Sequence, residues 1–215
     1  MERKYILFDL DGTLTDPMMG ITKSVRYALN YYGINVDSLN DLLPFIGPPL
    51  RDSFKEFYGF DDDKANEAVN KYREYFADEG IFDNKVYVGI PECLQKLKDA
   101  GKILLVATSK PEKFAKQIIE YFDLDKYFDF IGGSEFNGRE KKADVIKYVL
   151  KANHIDASKA IMVGDRRYDI IGAHENDLPC VGVLYGYGSL EELKVNRADY
   201  LVDTIIELTS LLLEL

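Results

Sequence analysis

The stretch Phe8-Asp9-Leu10-Asp11-Gly12-Thr13-Leu14-Thr15-Asp16 decides how the rest of the chain is read. It continues an apolar run, Tyr5–Phe8, and sets an aspartate, a residue that disfavours strands, at the end of a predicted strand. Asp9 and Asp11 are two residues apart, so in extended backbone their side chains point the same way. Gly12 permits a sharp turn after them. Two neighbouring carboxylates repel unless a cation joins them, and hard oxygen ligands suit Mg²⁺. One carboxylate can also act as a nucleophile and the other as a proton donor and acceptor. The plain alternative is an Asp-Gly turn facing water. Against it, Asp-x-Asp-Gly-Thr fixes four positions and arises by chance in about one chain per thousand of this length.

Outward from this stretch, short apolar runs alternate with helical patterns. Predicted strands are Tyr5–Phe8, Ile103–Ala107, Phe128–Ile131, Ala160–Val163 and Val181–Leu184, with a weaker one at Tyr200–Val202. They are continuously apolar, as expected of a parallel sheet covered on both faces. Helical patterns fall at Ile90–Ala100, Glu112–Phe122, Ala143–Lys151, Asp169–Glu175 and Glu191–Lys194. That order predicts an α/β fold with a doubly wound parallel sheet. Asp9 and Asp11 then fall at the carboxyl end of a central strand, where open α/β sheets bind ligands.

Residues 17–82 break the alternation. They hold helical segments at Ile21–Tyr32, Asp37–Leu43, Leu50–Tyr58 and Asp61–Asp78, punctuated by Gly33, Gly47-Pro48-Pro49 and Gly59. The two prolines suit the turn just before a helix. The expectation is an all-helical domain at 17–82 inserted into a core made of 1–16 and 83–215, with linkers at Thr15–Pro17 and Phe82–Gly89.

Composition removes other classes. Of 215 residues, 27 are Lys or Arg and 37 Asp or Glu, a net charge of −10. That balance argues against a nucleic-acid polymer as partner. No apolar run approaches the ~20 residues that span a bilayer, so no membrane partner is expected. The N-terminal apolar run is too short for a signal-peptide core. Cys93 and Cys180 form neither a zinc pattern nor a disulfide framework, and a reducing cytoplasm is the default location.

With Asp9-Leu10-Asp11-Gly12-Thr13 and the helical insertion that follows it, the chain resembles the haloacid dehalogenase (HAD) superfamily. The resemblance implies a Mg²⁺-dependent phosphatase in which Asp9 is the nucleophile, forming an aspartyl-phosphate, and Asp11 is the general acid and base. It also implies a helical cap. The superfamily's second motif matches Thr108-Ser109-Lys110-Pro111 at the end of Ile103–Ala107. Thr108 and the Ser109 N–H would bind phosphoryl oxygens, a role compatible with capping the next helix. The third motif is a lysine that neutralises the phosphoryl group. Helical spacing leaves Lys141 and Lys142 open, while the placement of Val145-Ile146 in similar proteins points to Lys142. The fourth motif matches Gly164-Asp165-Arg166-Arg167-Tyr168-Asp169. Asp165 would ligate Mg²⁺ with Asp9 and the backbone carbonyl of Asp11, and Asp169 would hold metal-bound water or orient the shell.

The substrate is a small phosphorylated metabolite on this reading. Phe45–Leu50 and the run Gly182–Gly188 resemble the phosphoglycolate-phosphatase-like branch, which includes 5′-nucleotidases. The alternatives are a 5′-nucleotidase, an inorganic pyrophosphatase, a β-phosphoglucomutase-like mutase, or a non-catalytic protein on the same scaffold. Arg51 and Lys110 are the candidate specificity residues. Lys23, Arg26 and Lys55 are further basic residues of the insertion, and its aromatic residues are expected to pack between helices. His154 and His174 lie outside all four motifs and read as surface or packing residues. Monomer and dimer both stay open.

Overall fold

The structure is a computed structural model and describes residues 3–135 and 138–215. Six parallel strands form one sheet in the order β5-β4-β1-β6-β7-β8. The strands are β1 (Tyr5–Phe8), β4 (Ile103–Pro111), β5 (Phe130–Ser134), β6 (Ala160–Gly164), β7 (Cys180–Val183) and β8 (Tyr200–Val202). A short pair, β2 (Thr15–Asp16) and β3 (Lys85–Val86), makes a second sheet. Helices α4 (Ile90–Asp99), α5 (Glu112–Tyr121), α6 (Lys142–Ala152), α7 (Arg167–His174), α8 (Leu190–Val195) and α9 (Ile205–Glu214) connect or follow the strands.

Ile6, Leu7 and Phe8 on β1, Leu104 to Ala107 on β4 and Ile161 to Val163 on β6 are all buried, as the continuously apolar runs require. β1 lies between β4 and β6, so the strand order reverses on its two sides and creates a crevice at its carboxyl end. Phe8 pairs with Val106 on one side and Val163 on the other. Asp9 is therefore level with Ala107 and Gly164, and Thr108 and Asp165 follow one residue further along their strands.

Some predicted elements shift. β4 runs on through Thr108-Ser109-Lys110 to Pro111, with an irregular register after Ala107. A residue preceding proline is pushed to extended backbone, which carries Lys110 along the strand. β5 starts at Phe130 rather than Phe128, because Asp125–Tyr127 form a 3₁₀ turn and Phe128 closes it. α9 has no counterpart among the predicted helices.

The chain divides into two compact units, one running to Asp16 and resuming at Val86–Leu215, the other Pro17–Lys85. The second holds α1 (Met18–Tyr31), α2 (Leu50–Tyr58) and α3 (Asp62–Tyr75). The predicted segment Asp37–Leu43 is a 3₁₀ helix at Leu39–Phe45, a form compatible with Pro44 inside it. The predicted Asp61–Asp78 helix stops at Tyr75 and continues as a π turn, Phe76–Gly80. Its core is aromatic: Phe45 meets Phe54 at 5.1 Å and Phe57 at 5.3 Å between ring centres. Among the described residues, no helix is long and apolar enough to cross a membrane.

Candidate active site

The chain leaves β1 at Phe8 and does not stay extended. Leu10 is fully buried, and its carbonyl accepts from the N–H groups of Thr13, Leu14 and Thr15 at 3.2, 2.9 and 3.0 Å. Gly12 takes φ +85°, a conformation other residues rarely adopt, and its N–H donates to the Thr15 carbonyl at 2.7 Å. The turn leaves Asp11 close enough to Asp9 and Lys142 to feel the charge of both. The Asp9 carboxylate joins Asp165 and Asp169, whose ligand oxygens and its own lie within 4.8 Å of one another. The Asp11 carboxylate lies outside that group and pairs with Lys110, Nζ to Oδ2 at 2.6 Å.

Lys142 opens α6 and is buried. Its ammonium stands 2.7 Å from Asp9 Oδ1 and 2.8 Å from Asp169 Oδ1, and donates to the Ala107 carbonyl at 3.1 Å. Lys141 is the exposed residue before the helix. The burial pattern Lys142, Val145, Ile146, Val149 is the i, i+3, i+4, i+7 stripe of one helix face. Asp169 is set by its own helix start, where Oδ2 accepts from the Arg166 N–H at 3.0 Å.

Charge density in this cluster perturbs its ionisation. Burial pushes Asp165 well above the usual carboxylate range, with Asp169 and Asp9 adding to the rise. Burial also lifts Asp169, against the pull of Lys142, to about 6. Asp11 rises for the same reason, with Lys110 opposing. For Lys142, burial works to release the proton, but Asp169 and Asp9 outweigh it and hold the ammonium charged.

The residues fit a hard divalent cation. Asp165 Oδ1 is buried without a hydrogen bond, and Asp9 Oδ1 and Asp169 Oδ1 share the Lys142 ammonium. Three all-oxygen donors with one ammonium beside them leave an excess of negative charge, which a Mg²⁺-like ion neutralises.

Thr108 is buried at the end of the apolar part of β4, and its hydroxyl accepts from the Lys110 N–H at 3.2 Å. Ser109 is half-buried beside it. Arg51 is exposed within the helical unit and pairs with Asp62 at 2.9 Å. Lys55 shares that aspartate, and Lys23 pairs with Asp83 at 2.6 Å. His154 is exposed, and His174 is exposed and meets Asp199 at 3.0 Å.

The sequence profile of haloacid dehalogenase-like hydrolases matches residues 6–183. The chain belongs to that family. A 5′-nucleotidase of Pseudomonas aeruginosa is 48% identical over 193 residues, 89% of this chain and 87% of that protein. A phosphoglycolate phosphatase of Vibrio parahaemolyticus is 28% identical over 214 residues, 95% of this chain and 94% of that protein. The crystal structure of a predicted phosphatase from Clostridium acetobutylicum superposes with a TM-score of 0.97 at 52% identity and full coverage of both chains. As a HAD-family hydrolase with such relatives, the chain is a phosphatase.

Two contacts go beyond the sequence-based expectations, one of them made by Lys110, which is expected only as a specificity residue. Lys110 meets Asp11, and the Tyr187 N–H donates to Asp165 Oδ2 at 2.8 Å. The run Tyr185-Gly186-Tyr187-Gly188 was the only signal for the second.

Proposed function

We propose that this HAD phosphatase is a Mg²⁺-dependent phosphomonoesterase acting through a phosphoryl group carried on Asp9. The observation that carries this reading is the buried cluster of Asp9, Asp165 and Asp169 around the Lys142 ammonium. Asp9, Asp165 and the Asp11 carbonyl would hold Mg²⁺, with Asp169 supporting. Bound there, the ion supplies positive charge that offsets repulsion between Asp9 and an incoming phosphate dianion.

Asp9 attacks phosphorus in line, an aspartyl-phosphate bond forms and the ester P–O bond breaks. Asp11 gives its proton to the departing oxygen. Water then attacks the aspartyl-phosphate while Asp11 takes the proton back, releasing inorganic phosphate and restoring Asp9. Lys142 neutralises the phosphoryl oxygens, and the Thr108 hydroxyl and Ser109 N–H donate to them. The helical unit is assigned as the cap domain, and Arg51 and Lys110 as candidate readers of the leaving group. Lys110, buried against Asp11, also suits a role in steering that carboxylate.

For the substrate, phosphoglycolate follows from the resemblance of the whole chain. The relative named 5′-nucleotidase, far more similar than the phosphoglycolate phosphatase, favours a nucleoside monophosphate. A phosphate-release screen covers phosphoglycolate, nucleoside monophosphates, pyrophosphate and sugar phosphates, each with Mg²⁺ and with EDTA. Asp9→Asn is expected to abolish release in every case while leaving the circular dichroism spectrum unchanged. Full activity in that variant rejects the covalent route.

A further inference from the structure

The run Tyr185-Gly186-Tyr187-Gly188 follows β7 and is absorbed by none of the four motifs. We propose that Tyr187 is a positioning residue, which holds the Asp165 carboxylate in place for the cation and is itself held by Asp16 and Tyr87. The inference rests on the reading that Asp9, Asp165 and Asp169 bind Mg²⁺.

Asp165 is completely buried, and the Tyr187 N–H reaches its Oδ2 at 2.8 Å while Oδ1 stays without a hydrogen bond. One oxygen is thus pinned and the other is left for a ligand. The chain passes extremely close to do this. A Cβ on Gly186 would lie 2.4 Å from both Asp165 Cβ and the Gly12 carbonyl oxygen, and one on Gly188 would lie 1.9 Å from the Asp165 carbonyl oxygen. Only glycines on either side of Tyr187 allow its N–H to arrive there.

The phenol end is anchored as firmly. Tyr187 Oη donates to the Asp16 carboxylate. The hydroxyls of Tyr187 and Tyr87 are also hydrogen-bonded to one another. Tyr185 Oη donates to the Thr13 carbonyl at 3.1 Å, and its ring meets Tyr87 edge-on at 5.3 Å. The Tyr87 N–H donates to the Leu14 carbonyl at 3.2 Å. Asp16 ends the first stretch of the core unit and Tyr87 nearly begins the second. Tyr187 therefore joins a metal-ligand candidate to the two points where the chain leaves and re-enters the core.

Partners that orient metal ligands typically matter 10–100-fold in affinity. Tyr187→Phe keeps the ring and the N–H and removes only the anchor, so about a 10-fold loss of Mg²⁺ affinity is expected. Isothermal titration of Mg²⁺ into the EDTA-treated, dialysed protein reads this directly. Asp16→Ala should give a similar loss from the other side of the contact and carries the test if Tyr187→Phe does not fold. The double variant should lose no more than Tyr187→Phe alone, since Asp16→Ala removes a contact that Tyr187→Phe already breaks. A Kd within about twofold of the unsubstituted protein in either folded single variant, or an additive loss of about 100-fold in the double, overturns the proposal. Asp165→Asn separates the two levels of inference. If it loses Mg²⁺ binding while Tyr187→Phe does not, only the positioning role fails. If it binds Mg²⁺ as well as the unsubstituted protein, the metal reading fails and takes the positioning role with it.

Discussion

Lys142→Met removes the cation that faces two carboxylates at 2.7 and 2.8 Å in a buried site. At an effective dielectric near 20, each contact carries about 6 kcal/mol of attraction, most of it cancelled by the cost of burying the ammonium. Removing one partner of a buried pair typically costs about 3–5 kcal/mol, because the other charge stays buried. Here two partners are stranded, so the loss should sit at the upper end of that range in EDTA at about pH 8. The pH dependence has a definite sign. Asp169 is lifted from the ordinary 3.8 to about 6 even with Lys142 present. A carboxyl raised in the folded state holds its proton there longer, so its penalty on folding appears as pH rises through that window and stays above it. Without Lys142 the window extends upward. The deficit of the variant should therefore be largest at about pH 8 and shrink towards about pH 5.5. Mg²⁺ should stabilise the variant at least as much as the unsubstituted protein, while phosphate release is lost. Denaturant melts at both pH values, with EDTA and with Mg²⁺, give the comparison. Equal stability of the two proteins in EDTA at the higher pH would show that Lys142 does not balance this cluster.

Gly12→Ala combines a left-handed φ of +85° with a Cβ only 2.2 Å from Asp165 Oδ2, so it should displace Asp165 and weaken Mg²⁺ binding by at least about 10-fold in a calorimetric titration. Lys110→Met strands the half-buried Asp11 carboxylate, so a loss of about 3 kcal/mol, the lower end for a broken buried pair, is expected in a denaturant melt. In steady-state kinetics it should lower kcat more than it raises KM, as befits the partner of a proton-transfer group.

Which parts of the site were legible depended on how local their physics is. An apolar run that ends in Asp or Thr announces both a buried strand and a polar group at its tip, and Asp9, Thr108 and Asp165 each carry that signature within a few residues. Lys142 is legible too once Val149 is set on the buried face of its helix. Counting back from Val149 through Ile146 and Val145 puts Lys142 on the buried stripe and Lys141 off it. Likewise Thr204-Ile205-Ile206-Glu207 ahead of an apolar run is a capping signal for α9: the Thr204 hydroxyl accepts from the Glu207 N–H, and Glu207 Oε2 from the Asp203 N–H. The partner of Asp11 is a different matter. Nothing within nine residues of sequence says that Lys110, about a hundred residues on, is what pairs with the Asp11 carboxylate. The same holds for Tyr187: its role depends on Asp16, Tyr87 and Asp165 converging from three distant segments. Catalytic elements in this fold are written at strand ends, where sequence reports them, whereas the groups that orient them are fixed by crossings between strands, where only the packed chain does.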